Sequence, residues 1–93
     1  MRSIIQDKKE CYVCKSNNVE LHHIFFSTAL RKIADADGLT VYLCPLHHRG
    51  NPTGVHFNHE LDLHLKQIAE KKWLEHYNKS IVDFIKRYGK NVL

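Results

Sequence analysis

Cys11-x-x-Cys14 and Cys44-x-x-His47 are two pairs of metal-binding side chains, each spaced to occupy the two ends of one tight turn. Together they supply a Cys3His set, the donor set of closed, tetrahedral structural zinc. The alternative is that small free cysteines pack in the core as apolar side chains. Two correctly spaced pairs in so short a chain favour the metal. Histidine is the second oddity. Eight histidines stand among 93 residues, and imidazole is both the commonest metal ligand and the natural general base near neutral pH. Neighbours on a strand point to opposite faces, so His22 and His23 share a site only where a strand ends or bulges. Otherwise they are two surface histidines. His48 follows directly on His47, and His56 sits in a Gly54-Val55-His56 turn. A zinc joining the 11–14 turn to the 44–47 turn would bring His48 close to His22 and His23. A second, open metal site then follows: two or three neutral imidazoles, positions free for water or substrate, and one unliganded histidine beside them. With a basic surface around it, such a site suits phosphodiester substrates.

These residues need a scaffold that brings the turns together. Leu21 to Phe26 and Leu39 to Leu43 read as the arms of a β-hairpin. Lys15-Ser16-Asn17-Asn18 is turn-like. The connection from Ser27 to Gly38 is long for a hairpin loop and has room for a helical turn at Ala29 to Ala36, closed by Gly38. Cys44-Pro45 opens a short helix with proline in its first turn, and Gly50, Pro52 and Gly54 end it quickly. From Asn58, which can cap, Leu61, Leu65, Ile68 and Ala69 share one face of a helix reaching Tyr77. Ser80 caps a last helix carrying Ile81, Val82, Phe84 and Ile85, ending near Tyr88-Gly89. The predicted class is α+β: a β-hairpin plus short helix around a structural zinc, followed by two C-terminal helices. Residues 1–93 are expected to form a single domain, with a metal-bearing core over about 11–58 and a helical part over about 59–90.

A chain of 10.9 kDa has a thin core, and metal binding would then serve as folding free energy. With 43% hydrophobic and 26% charged residues, wholesale disorder and a coiled-coil rod are excluded. No apolar run approaches the roughly 20 residues that span a bilayer. MRSIIQDKKE lacks the apolar stretch of a secretory signal, so the expected location is the cytoplasm, where thiols stay reduced. A net charge of +4 and a pI near 9.1 favour an anionic partner.

Taken as an ordered set, Cys-x-x-Cys at 11–14, Leu-His-His-Ile at 21–24, Leu-Cys-Pro-x-His-His at 43–48 and Gly-Val-His at 54–56 resemble the HNH endonucleases of the ββα-metal fold. The likeness is greatest to the small zinc-bearing versions carried by phages and prophages, and it covers about residues 11 to 60. It implies DNA hydrolysis that leaves 5′-phosphate and 3′-hydroxyl ends. His23 would be the general base. His22 and His48 would hold the catalytic ion, Mg2+, Mn2+ or another divalent metal. Cys11, Cys14, Cys44 and His47 would hold the zinc, His47 standing where many relatives have a fourth cysteine. The Cys-x-x-His spacing assigns the zinc to His47 rather than His48. His56 has no counterpart in the shortest form of the motif, and is a third ligand, a phosphate contact or a turn histidine. The family's middle residue, commonly Asn, falls at Leu39, which cannot hydrogen-bond; Thr40, a neighbour or a backbone carbonyl would have to serve.

Arg31, Lys32 and Arg49 lie near the site in sequence and would either clamp flanking phosphates or form a solvated face. Lys66, Lys71, Lys72, Lys86, Arg87 and Lys90 read as solvent-facing, and Trp73, Tyr77 and Phe84 as core. The implied partners are DNA and phage or host recombination or packaging proteins. Two other readings remain at this stage: a non-catalytic zinc module that binds nucleic acid or protein, and an inhibitor or adaptor on a retired nuclease scaffold.

Overall fold

The computed structural model describes residues 2–93. In chain order the elements are β1 (Glu20–His23), α1 (Thr28–Asp37), β2 (Thr40–Leu43), α2 (Pro45–His48), α3 (His59–Tyr77) and α4 (Ile81–Tyr88). β1 and β2 pair antiparallel with Glu20 opposite Leu43 and His23 opposite Thr40. The class is α+β: among the described residues, a two-stranded hairpin with four helices. Among the described residues no helix is long and apolar enough to cross a membrane.

The hairpin arms are shorter than the apolar runs that announce them. The ladder ends at His23, and Ile24 and Phe25 continue past it into the core. Their burial, not strand pairing, explains why that run is apolar. The connection between the strands is the ten-residue helix α1, one residue longer at each end than the Ala29 to Ala36 stretch expected there. Ser27 caps it by accepting from the Leu30 N–H at 3.3 Å. Gly38 ends it at φ 78°, where a Cβ would lie 2.5 Å from the Arg2 carbonyl oxygen, so only glycine fits. Asn58 caps α3 by accepting from the Leu61 N–H at 3.1 Å, and Ser80 with Asp83 forms a capping box on α4.

Trp73, Phe84 and Tyr88 pack with Phe25 in the apolar interior, and Tyr77 is half-buried against them. Asp37, at the end of α1, binds this region from below. Its carboxylate accepts from Trp73 Nε1 at 2.9 Å, Tyr88 Oη at 2.8 Å, and Arg87 through Nε at 2.5 Å and a terminal nitrogen at 2.7 Å. Arg87 is therefore not a free surface cation: it ties α4 to α1. Lys66 also departs from the expectation of a solvent-facing residue, being only 15% exposed, paired with Asp62 at 2.9 Å and set over the Phe26 ring. Asp37→Ala would leave the buried Trp73 and Tyr88 donors unpaired along with the guanidinium. We expect a loss of about 3 kcal/mol or more in denaturant unfolding. An unchanged midpoint would contradict that role.

Candidate metal centres

Two donor clusters stand on opposite sides of α2. The first is Cys11, Cys14, Cys44 and His47, whose ligand atoms all lie within 4.8 Å of one another. The 11–14 turn is closed by Cys11 N–H to Ser16 O at 2.8 Å and Lys15 N–H to Cys11 O at 2.9 Å. Tyr12 N–H donates to Tyr42 O at 2.8 Å and docks the turn on β2. Pro45 starts α2 directly after Cys44, and the helical turn carries His47 back over that sulfur. Sulfurs about 2.3 Å from one tetrahedral zinc lie roughly 3.8 Å apart. Cys14 Sγ and Cys44 Sγ are 3.7 Å apart, while His47 Nδ1 is 3.7 Å from Cys11 Sγ and 3.2 Å from Cys44 Sγ. The three thiols are free rather than bridged, and the set is compatible with a structural zinc.

Electrostatics fit the same ion. Burial pushes the Cys11 thiol up, but hydrogen bonds from the backbone of Cys44, Cys14 and Val13 outweigh it and bring the group down to about 6. At Cys14 the Ser16 backbone pulls the thiol down, whereas burial and the sulfurs of Cys11 and Cys44 raise it overall. Crowded sulfurs that resist a second negative charge call for a cation between them.

The second cluster is His22, His48 and His56, with ligand atoms again within 4.8 Å of one another. Successive helix residues point about 100° apart. His47 therefore faces the cysteines while its neighbour His48 faces β1. His22, on the inner face of β1, is 2% exposed, with its ring centroid 5.1 Å from His48 and 5.6 Å from His56. The loop after α2 folds back through Val55 N–H to His47 O at 2.7 Å and His56 N–H to His48 O at 3.4 Å, which seats His56 on the helix. At Gly54 a Cβ would meet the Gly50 carbonyl oxygen at 2.5 Å, so this return requires glycine.

His22 Nε2 is buried and has no hydrogen-bond partner among the described residues. An orphaned buried nitrogen facing two further imidazoles is compatible with a place for an ion. Burial, with positive charge on His48 and His56 adding to it, pushes His22 down to about 3, and burial lowers His56 as well. Both rings are thus held neutral, the state that binds a metal. Three nitrogen donors suit transition ions such as Co2+, Ni2+, Mn2+ or Zn2+ better than Mg2+, which prefers oxygen.

Glu20, which the sequence reading passed over, fixes the orientation of His48. The hydrogen bond from His48, then the Arg49 guanidinium, hold the Glu20 carboxyl below the usual carboxylate range. As an ionised acceptor it accepts a hydrogen bond from His48 Nδ1–H at 2.8 Å, leaving Nε2 for an ion. Arg49 donates to both oxygens of Glu20, at 3.1 and 2.6 Å, so this arginine braces the carboxylate. We expect Glu20→Ala to weaken Co2+ binding at the three-histidine cluster about 10- to 100-fold, read by titration of zinc-loaded protein. Unaltered affinity would contradict the orienting role.

His23 lies on the other face of β1, at the last position of the ladder. Its ring borders a cavity of about 260 Å³ shared with His48, His56, Phe26 and Arg31, and a second of about 490 Å³ lined also by Lys32 and Asp35. Arg31 lines both spaces and Lys32 only the second. Leu39 is fully buried in the core; the polar group that meets His23 is Asp35, with Oδ1 3.0 Å from Nε2. Nothing in the spacing of Asp35 or Glu20 marks either residue, because each reaches its histidine across a turn of chain.

Compared with protein-family models, curated proteins and solved structures, the chain matches none. The functional reading rests on the chemistry of these residues.

Proposed function

We propose that this chain is a metal-dependent DNA endonuclease of HNH type, with a Cys3His zinc that braces the fold and a three-histidine centre that serves catalysis. One observation carries the reading: the buried His22 Nε2, unpartnered among the described residues, grouped with His48 and His56 beside the cavity-lining ring of His23. A closed structural site has four protein ligands, whereas three leave room for water or substrate.

His23 accepts a proton from water as that water attacks phosphorus, in line with the departing 3′ oxygen. The P–O3′ bond breaks and the departing 3′ oxygen takes a proton from a second water, giving 5′-phosphate and 3′-hydroxyl ends. A divalent ion held by His22, His48 and His56 would supply charge compensation at the phosphoryl and leaving oxygens. Arg31 stands where both cavities meet and can hold a non-bridging oxygen of the substrate, while Lys32 serves the flanking strand. Phe26, 43% exposed, rests on the His56 ring at 5.0 Å and forms the apolar lip of both spaces.

The test is supercoiled plasmid treated with zinc-loaded protein plus Mn2+, Co2+ or Mg2+, with an EDTA control. Nicked circles that appear with the ion, disappear with chelator and are sealed by DNA ligase would support the reading, since ligase needs 5′-phosphate and 3′-hydroxyl termini. Intact plasmid with every ion, together with retained DNA binding, would replace it with a zinc-bearing binding module.

A further inference from the structure

We propose that Asp35 is the positioning residue of His23, holding its ring as the Nε2–H tautomer so that Nδ1 is the proton-accepting atom. The inference rests on the nuclease reading and names a group that reading does not supply. The resemblance places its hairpin-bracing residue at Leu39, and that side chain is sealed in the core. Asp35 comes from a different element, the helix α1 inserted between the strands.

Three observations converge on the contact. Asp35 Oδ1 lies 3.0 Å from His23 Nε2, within hydrogen-bond range. The carboxylate is 53% exposed and the imidazole 13%, so the acid sits at the solvent edge and the ring points inward from it. His23 lines both the cavity that Asp35 lines and the cavity lined by His48 and His56. An ionised carboxylate can only accept, so Nε2 carries the proton and the remaining lone pair belongs to Nδ1. The hydrogen bond from His23, with Arg31 adding, keeps the Asp35 carboxyl below its ordinary range, and hence ionised at neutral pH. A free imidazole would rotate about its side-chain bonds and exchange tautomers. One anchored at Nε2 presents a single base atom in a single direction, and misplacement by about 1 Å costs on the order of 10²-fold in rate.

The experiment compares zinc-loaded wild type with Asp35→Ala. Asp35 is exposed on α1, so the variant is expected to keep its zinc and fold. Long-range 1H–15N spectra of the histidine rings report the tautomer without any catalysis. The wild type should show neutral His23 protonated on Nε2, and Asp35→Ala should show a mixture of both tautomers. Nicking kinetics should show kcat lower by on the order of 10²-fold with KM for DNA unchanged. A merely structural residue would move stability or KM instead. His23 protonated on Nδ1 in the wild type, or a variant with wild-type tautomer and kcat, would overturn the assignment. An Asp35-dependent Nε2–H tautomer in a protein that leaves DNA intact with every ion would uphold the positioning contact and overturn the nuclease reading.

Discussion

Replacing His23 with alanine should lower metal-dependent nicking by about 10²- to 10⁴-fold while leaving the fold and both metal centres in place. His22 and His23 are neighbours, yet the pleat sends His22 to the inner face beneath α2 and His23 to the face that borders the cavities. The two roles are thereby separated: one ring is buried and neutral, the other lines the cavities. His23 lies outside the set of imidazoles that crowd together within 4.8 Å, so its removal should take a proton acceptor and no ligand. Initial rates on supercoiled plasmid check this, with zinc content and circular dichroism as controls. A rate within threefold of wild type would mean that another group takes the proton.

The largest effect on stability should come from the zinc set. Cys11→Ala, or prolonged chelation of the wild type, should release zinc and lower Tm by tens of degrees. Structural zinc contributes about 10–16 kcal/mol of apparent binding free energy in small zinc-dependent domains, against total stabilities of about 5–15 kcal/mol. Each kcal/mol lost shifts Tm by roughly 4–8 °C at this size. The vulnerability follows from the division of the core. Phe84 and Tyr88 pack on Phe25, and Trp73 packs on both of them and donates to Asp37, giving the helical half its own apolar contacts. The 11–16 turn has much less: Cys11 is buried, but the turn's backbone link to β2 is the single Tyr12 to Tyr42 hydrogen bond. Zinc loss should therefore undo the hairpin and α2 first and spare part of the α3–α4 signal. Thermal melts with zinc assayed in parallel read both quantities, and an unaltered Tm in zinc-free protein would contradict the structural role.

Much of this was legible in the residues because ligand pairs and helix caps are local. Cys-x-x-Cys and Cys-x-x-His need only a tight turn, and Asn58, Ser80 and Gly38 stop or start helices through hydrogen bonds within a few residues. The limits of β1 were less legible, since Ile24 and Phe25 are apolar for the core and not for the sheet. α1 lies within one residue, at each end, of the Ala29 to Ala36 stretch that Gly38 closes, because its stop signal is local. The partners of the histidines were not legible at all. Glu20 meets His48 across the hairpin, Asp35 meets His23 across the loop into α1, and Asp37 meets Arg87 from the far end of the chain. Each pairing depends on how elements dock, and a single carboxylate in sequence carries no trace of it. His56 lay between these cases: its position after two glycines suggested a turn, and the return of that turn onto α2 made it a neighbour of His22.

The claim on which the account turns is that His22, His48 and His56 form a second, exchangeable metal centre. Titrating zinc-loaded protein with Co2+, followed by visible absorption, tests it most directly. The account predicts one further equivalent per chain, with d–d bands and no thiolate charge-transfer band, weakened at least tenfold in His56→Ala and lost in His22→Asn protein that retains its zinc. No uptake beyond the zinc, or the same uptake in both variants, would contradict it.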